Sequence, residues 1–290
     1  WEGVAYVILI LLALVTRLWA LGDRVQSHDE SIHTLYSWNL YTGRGYQHHP
    51  LMHGPSLFHV TALSYFIFGD NDFTARLPVA LMGVAMVAFP YLLRRWLGRA
   101  GALATSFFLL ISPSIAYHSR YIRHDLPLAF LSLIVVLAIF RYLHEGRERS
   151  LYLLAVGVSL MFATFEAAFI YNAIFGIFLV GLLFVQTMLQ AWAREALKPP
   201  FWIALAATGI GMLLLGLGMV TKADSAVLSW WAISGGMLAI LGFLTAAGVM
   251  TVGHLRGVDR ATSSLVVTLA LVAVALGIVI RIVLPVVIVL

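Results

Sequence analysis

Apolar runs about as long as a bilayer is thick recur along this sequence and restrict what it can fold into. Of its 290 residues, 61% are hydrophobic and 11% are charged. A helix needs about 20 apolar residues to cross the hydrocarbon core, where every backbone polar group must be paired. The sequence therefore predicts an all-α integral membrane protein, a polytopic bundle of transmembrane helices.

Nine runs are predicted transmembrane helices by length and hydropathy. They cover residues 4–21, 75–93, 101–117, 126–143, 151–165, 167–187, 201–219, 227–250 and 264–284. The stretch 151–187 is too long for one span, and we divide it at Glu166. The sequence stops within apolar residues, so we expect more of the natural chain beyond Leu290.

The first loop, residues 22–74, is long enough to contain helices of its own. Residues 31–41 are predicted to form one, with Ser31 near its start, and residues 56–68 another, after Gly54-Pro55. The second helix is too short to span a bilayer and suits its interface. We therefore predict a long helical first outer loop.

A chain that crosses the membrane repeatedly places its first, third and fifth loops on one face. These loops contain Asp29-Glu30, residues 117–125 and Glu166 respectively. Arginines in the loops near residues 94–99 and 141–149 favour the cytoplasm for the opposite face. Three polar clusters are therefore expected to converge on the extracytoplasmic face.

Asp29 and Glu30 are adjacent carboxylates directly after the first apolar run. Acids at this position are also typical of a helix start, with Ser27 or Asp29 as its cap. As a functional group, a carboxylate near the membrane could accept a proton from a hydroxyl. Capping and general-base catalysis both remain open from these residues alone.

Histidines are concentrated in the first loop, where His48, His49, His53 and His59 lie close in sequence. Histidine ligates metals, but the spacing matches no zinc signature and the chain has no cysteine. We favour contacts to phosphate or to a sugar hydroxyl, principally by His49 and His53, over a metal site. No cofactor is expected.

Arg120, Arg123, His124 and Asp125 lie together between two predicted spans. Guanidinium groups bind phosphates through paired hydrogen bonds, so this group predicts an anion site. Arginines at span ends also reach toward lipid headgroups without any substrate. Glu166, between two apolar runs, is a functional candidate or one half of an inter-helix ion pair.

Two further arginines are interpreted structurally. Arg17 lies near the end of the first predicted span, where its side chain is expected to extend to the membrane surface. Arg76, in Arg76-Leu77-Pro78, is interpreted as the start of the second span.

The order of these motifs resembles the GT-C glycosyltransferases, specifically the dolichyl-phosphate-mannose-protein mannosyltransferase-like group (family 39). The resemblance covers about the first 190 residues. It rests on Asp29-Glu30, His53-Gly54-Pro55, Ala75-Arg76-Leu77-Pro78, Ser112-Pro113, Ser119 to Pro127 and Ala163 to Ala168.

The resemblance implies an inverting transfer from a polyprenyl-phosphate sugar. It also implies that Asp29 acts as, or positions, the catalytic base and that Arg120 holds the lipid phosphate. Relatives often have lysine where this chain has Phe165, so the resemblance does not extend to the phosphate contact of that lysine. We expect a GT-C-like catalytic module over residues 1–198 and further transmembrane helices over 199–290.

The leading hypothesis is a glycosyltransferase of the plasma membrane with its active site on the outer face. Asp29 and Glu30 are the catalytic candidates, while Arg120, Arg123, His124, Asp125 and Glu166 bind the donor. The expected partners are membrane lipids and an acceptor protein or lipid, with no nucleic acid. The alternatives are a non-catalytic subunit that retains this scaffold among other integral membrane subunits, and a lipid transporter, which polar clusters on one face disfavour.

Overall fold

A computed structural model describes residues 1–46, 53–189, 195–220 and 230–253. Within these residues every regular element is a helix, as predicted. The helices are α1 (Glu2–Leu18), α2 (His28–Tyr41), α3 (Ser56–Phe68), α4 (Asp72–Ala88), α5 (Pro90–Ile111), α6 (Pro113–His118), α7 (Asp125–Glu145), α8 (Glu148–Thr164), α9 (Ala168–Leu189), α10 (Lys198–Val220) and α11 (Trp230–Gly253), with a short 3-10 helix at Glu195–Leu197.

Three helical stretches of the described chain are long and apolar enough to cross a membrane: Asp72–Ile111, Asp125–Glu145 and Lys198–Leu215. The first contains both α4 and α5 and bends at Gly98, whose φ of 72° lies outside the helical region. The all-helical class is thus confirmed with three candidate membrane-spanning stretches among the described residues, whereas the number nine stays a prediction. The ninth predicted span, 264–284, lies outside the described residues.

The division at Glu166 is confirmed, because α8 ends at Thr164 and α9 begins at Ala168. The predicted span 101–117 is interrupted instead. Helix α5 ends at Ile111, and Ser112 caps the short helix α6 that starts at Pro113. The proline restricts the residue before it to an extended conformation, and this ends the longer helix.

The chain divides into two compact units, Trp1–Phe175 and a second that begins at Gly176. In the first unit, α4 is central: its buried residues Ala75, Val79 and Met86 pack with Leu57 of α3 and Leu126 of α7. On another side, Val84 and Val87 of α4 pack with Ala13 of α1 and Leu110 of α5. Helix α4 thereby fixes the loops at its N-terminal end.

In the second unit, α10 and α11 pack closely. A Cβ atom on Gly242 of α11 would overlap the backbone and side chain of Thr208 on α10. Phe201, Ala204 and Ala246 form the buried cluster between the two helices. Small residues at such a contact let helix backbones approach closely.

Candidate active site

The start of α2 gives Asp29 and Glu30 opposite environments. Ser27 is the N-cap: its hydroxyl accepts a hydrogen bond from the Glu30 amide at 3.4 Å, and the Glu30 carboxylate accepts one from the Ser27 amide at 3.1 Å. This reciprocal capping box turns Glu30 into the protein. The Asp29 side chain is 48% exposed. The predicted helix start at Ser31 was therefore three residues late.

Glu30 is fully buried and all of its contacts are structural. Arg76 donates from Nε to Oε1 at 2.9 Å and from a terminal nitrogen to Oε2 at 3.2 Å. Arg24 donates to Oε2 at 2.9 Å, and the Ile122 amide approaches Oε1 at 3.4 Å. Burial alone would raise the pKa of Glu30, but the hydrogen bonds from Arg76 and Ser27 and the charge of both arginines lower it.

Sequence reasoning missed the role of Arg76. Its side chain is also fully buried, and it donates to the backbone carbonyls of Leu21 and Arg24 as well as to Glu30. A single guanidinium thus joins α4 to the end of the first predicted span and to α2. The sequence signal for this role was an arginine within the first turns of an apolar helix, where an unpaired charge is costly and a partner is therefore expected.

Arg123 is the cation nearest Asp29. Its terminal nitrogen lies 3.8 Å from the Asp29 carboxylate, and its Nε lies 3.2 Å from Asp125. Asp125 opens α7, where an acid complements the helix dipole. The structure therefore brings the first and third predicted loops together, with a carboxylate and a guanidinium half-exposed beside each other.

His53 connects the first loop to the fifth. Its Nδ1 lies 2.8 Å from the Glu166 carboxylate. The next residue, Gly54, has no room for a side chain, because a Cβ atom there would overlap the Ala163 carbonyl. The Gly54 amide donates a hydrogen bond to the Thr164 carbonyl at 3.2 Å. His53 itself has a φ of 61°, in the left-handed region. The His-Gly-Pro element thus holds the loop against the end of α8.

Behind His53 lies a cluster of rings. The His124 ring is 4.9 Å from His33 and 5.3 Å from His53, and it stacks on Phe165 at 6.0 Å between centroids. The aromatic ring at position 165 therefore packs on histidine where relatives often have lysine. His124 lies 3.3 Å from the Gly54 carbonyl.

Both inner histidines are held neutral. Burial lowers the pKa of His33 to about 4, with His53 and Arg123 lowering it further and Asp29 opposing them. Burial likewise lowers the pKa of His124 to about 3, helped by His33 and His53 and opposed by its contact with Gly54. Both rings are therefore neutral packing groups at neutral pH, and His124 also contacts the Gly54 carbonyl.

Arg120 binds the backbone rather than a carboxylate. Its two terminal nitrogens donate to the carbonyls of Thr16, Arg17 and Ala20 at 3.0, 3.5 and 3.1 Å. Thr16 and Arg17 lie in the last turn of α1, whose carbonyls lack partners within the helix, and Ala20 follows it. A cation stabilises such a helix end. The predicted phosphate ligand is thus also a cap for α1.

The interpretation of Arg17 was wrong. The side chain does not extend to a surface but is fully buried, and it donates to the carbonyls of Leu109 and Leu110 at the end of α5 at 3.0 and 3.1 Å. Unpaired helix-end carbonyls provide the partner that the membrane surface was expected to supply.

His48 and His49 lie outside the described residues, so the role of His49 stays a prediction. In the part of the chain that is described, no three histidine or carboxylate side chains are grouped so as to hold a metal ion.

The geometry on this face can be compared with known proteins. The family model for dolichyl-phosphate-mannose-protein mannosyltransferase matches residues 48–194, half of the chain. The chain belongs to this family. The match includes His53, Arg76, Arg120, Arg123 and Glu166 and supports a GT-C glycosyltransferase.

A solved structure has a fold similar to that of this chain. A crystal structure of the Archaeoglobus fulgidus oligosaccharyltransferase, tethered to an acceptor peptide, superposes with a TM-score of 0.54 at 17% sequence identity. The match covers 98% of this chain and 38% of that one, so the chain spans well under half of the archaeal protein's length. At this identity the likeness concerns the fold. No curated protein sequence matches the chain.

Proposed function

We propose that this protein is an inverting glycosyltransferase that moves a sugar from a polyprenyl-phosphate donor to an acceptor hydroxyl. The observation that carries the proposal is the half-exposed Asp29 carboxylate beside Arg123 in the first turn of α2. The next residue, Glu30, is anchored inside the protein by Arg76. One carboxylate is free to react and the other is fixed. Membership of the mannosyltransferase family supports the reaction class.

In the proposed reaction Asp29 accepts the proton of the acceptor hydroxyl as that oxygen attacks the anomeric carbon. The bond between this carbon and the phosphate oxygen breaks, and polyprenyl phosphate leaves with the bonding electrons. Arg120 and Arg123 stabilise the charge on the departing phosphate. His53, His124 and Glu166 shape the pocket for sugar and phosphate, and His49 is proposed to contact the sugar.

The environment of Glu30 supports inversion over retention in the proposed reaction. Retention through a covalent intermediate requires a second carboxylate as the nucleophile. Glu30 is the nearest in sequence, but both of its oxygens accept hydrogen bonds from arginines and it has no exposed surface. A single displacement with Asp29 as base is therefore the favoured route, with Glu30 as a positioning residue.

The extracytoplasmic face is proposed for this site because of where the positive charges lie. The Asp29 and Arg123 side chains lie near Asp125 at the start of α7, whereas Arg95 and Arg147 lie near Glu145 at its end. A helix of 21 residues separates these ends by about 30 Å. Arginine-rich ends tend to face the cytoplasm.

The test is transfer from lipid-linked sugars by the full protein in proteoliposomes. Asp29→Asn is expected to lower the transfer rate by at least 100-fold with an unchanged melting temperature. Arg44→Ala removes an exposed arginine of the same loop, which stacks on Trp38 at 4.8 Å, and serves as the matched control. Full activity of Asp29→Asn would contradict the role of Asp29 as the catalytic base.

A second candidate is a non-catalytic subunit that retains the scaffold beside other integral membrane subunits. The observation that favours it is Arg120, whose terminal nitrogens already bind α1 carbonyls. This candidate predicts that the protein co-purifies with other membrane proteins in a fixed ratio. It also predicts that Asp29→Asn supports the function of that assembly as well as the natural residue does.

A further inference from the structure

His33 is a buried histidine that lies one helical turn after Asp29. Both residues belong to α2, and side chains four residues apart on a helix are neighbours on its surface. Helical side chains point toward the N-terminus of their helix, which brings the His33 ring toward the turn that contains Asp29. His33 is 6% exposed, whereas the Asp29 side chain is 48% exposed. His33 therefore lies on the inner side of the carboxylate proposed as the base.

The Nδ1 atom of His33 is enclosed and has no hydrogen-bond partner among the residues that the structure describes. An enclosed polar atom without a partner destabilises the folded state, so its presence requires an explanation. The ring packs edge-on against His124 at 4.9 Å and against Phe58 at 5.5 Å, measured between ring centroids. These contacts hold the imidazole in place but leave Nδ1 unpaired.

The Asp29 carboxylate is also incompletely bound. Within the described part of the chain its ionic partner is Arg123, at 3.8 Å, which is too long for a hydrogen bond. Arg123 lies closer to Asp125, with its Nε at 3.2 Å from that carboxylate. A base that takes a proton from a bound hydroxyl must be held in a defined orientation. No contact of Asp29 in this arrangement provides that orientation.

The charge state of His33 suits it to this task. Burial lowers the pKa of His33 to about 4, helped by His53 and Arg123, and the nearby Asp29 charge opposes them. The ring is therefore neutral at neutral pH and has a single N–H. On Nδ1, this N–H can orient a carboxylate without neutralising its charge, whereas a bound guanidinium would make the carboxylate a poorer proton acceptor.

We propose that His33 is a positioning residue for Asp29, and that its Nδ1–H donates a hydrogen bond to the Asp29 carboxylate when the donor is bound. The inference rests on the proposed function for the role of Asp29. The donor phosphate draws Arg123 away, and Asp29 turns toward its own helix to meet Nδ1. Hydrogen bonds of catalytic groups are often long before substrate binds and tighten afterwards. His33 keeps its proton, while Asp29 takes that of the acceptor hydroxyl.

Two substitutions test which ring nitrogen matters. The side-chain amide nitrogen of His33→Asn lies close to the position of Nδ1, and that of His33→Gln lies close to the position of Nε2. In proteoliposomes, His33→Asn is expected to retain kcat for transfer to within about threefold. His33→Gln is expected to lower kcat by about 10- to 100-fold, because the base is no longer oriented. KM for the lipid-linked sugar should not change in either variant.

The matched control is His118→Gln, which replaces a partly exposed histidine of the third loop and should change neither constant. Packing alone does not distinguish the two ring nitrogens. Equal kcat values for His33→Asn and His33→Gln, or a greater loss in His33→Asn, would therefore overturn the positioning role. Melting temperatures measured in parallel allow kcat to be expressed per folded protein.

The tautomer of His33 is a second readout, and it does not depend on transfer or on a substitution at His33. NMR of the full-length protein with isotope-labelled histidine, in excess farnesyl phosphate, is expected to place the His33 proton on Nδ1. Asp29→Ala removes the acceptor and should move the proton to Nε2, whereas Arg44→Ala should not. A proton on Nε2 in the natural sequence would overturn the proposal.

The two readouts also separate this proposal from the proposed function. Absence of transfer by the natural sequence, or full transfer by Asp29→Asn, would be a failure of the proposed function, and the tautomer then still decides whether His33 binds Asp29. Loss of transfer in Asp29→Asn together with an unchanged kcat in His33→Gln would keep Asp29 as the base and overturn the role of His33.

Discussion

Two side-chain pairs on the Asp29 face, Glu30 with Arg76 and His53 with Glu166, differ in almost every physical respect. Glu30 and Arg76 are both fully buried, with a double hydrogen bond between them. His53 and Glu166 form a single contact, and their side chains are 33% and 59% exposed. The first pair is inaccessible to any ligand, while the second is open to one.

The difference separates positioning from binding. Charges taken out of water must be paired, so the buried contact holds α2 and α4 in one arrangement. An exposed pair between flexible side chains contributes little to stability and can rearrange around a sugar or phosphate. We therefore expect variants of the first pair to unfold the site and variants of the second to change its affinity.

The largest effect is expected for Arg76→Ala, which leaves the Glu30 charge buried with only Arg24 as an ionic partner. Breaking a buried pair from one side costs about 3 to 5 kcal/mol. Thermal unfolding in detergent measures the loss, and the double variant Arg76→Met with Glu30→Gln should recover part of it. A melting temperature of Arg76→Ala equal to that of Arg44→Ala would contradict this description of the pair.

Acidification should act next, through the histidines that lie behind His53. His33 and His124 have folded pKa values of about 4 and about 3, below the ordinary 6.5, so the unfolded chain binds more protons. The free energy of unfolding is therefore unaffected by these two histidines above pH 6.5 and decreases as the pH falls toward 4. The slope is about 1.4 kcal/mol per pH unit for each histidine.

Unfolding measured between pH 7 and pH 4.5 isolates these histidines from Glu30. The pKa of Glu30 is lowered from 4.5, so its contribution is lost only below that value. His124→Phe keeps a ring against Phe165 and should reduce the slope by about half. The control is His118→Phe, which replaces a partly exposed histidine of the third loop. An equal slope in His124→Phe and His118→Phe would show that buried His124 does not titrate here.

Gly54→Ala should have an intermediate effect. The added methyl group would overlap the Ala163 carbonyl and weaken the bond from the Gly54 amide to Thr164. Overpacking of this kind costs about 1 to 3 kcal/mol. Gly3→Ala, in the first turn of α1 with no atom within 4 Å of the added methyl group, is the control for a glycine with open space around it. Equal stability of Gly54→Ala and the natural protein would mean that the loop and α8 separate freely.

Much of the arrangement of this face could be predicted from the sequence, because successive loops alternate between the two sides of the membrane. Placing the first, third and fifth loops on one face predicts that Asp29, Arg123 and Glu166 share it, and the contacts of Arg123 with Asp29 and of His53 with Glu166 agree. Helix α3 has the predicted bounds. The start of α2 was also readable, because Ser27 and Glu30 have the spacing of a capping box.

What could not be predicted depends on contacts between distant residues. The separation of Glu30 from Asp29 depends on Arg76, 46 residues away, and the burial of Arg17 depends on the carbonyls of Leu109 and Leu110. In both cases the partner is too far away in the sequence to be recognised from a local motif. An arginine near a span end looks the same in sequence whether it reaches a lipid or a helix terminus.

The smallest effect on stability is expected for Glu166→Gln, which removes the charge of the exposed pair and keeps an acceptor for His53. Exposed pairs contribute about 0 to 1 kcal/mol, so the melting temperature should stay within error. If this residue contacts the donor, KM for the lipid-linked sugar should rise severalfold while kcat changes less. A large loss of stability without a change in KM would place His53 and Glu166 in the same structural role as Glu30 and Arg76, and the distinction between the two pairs would fail.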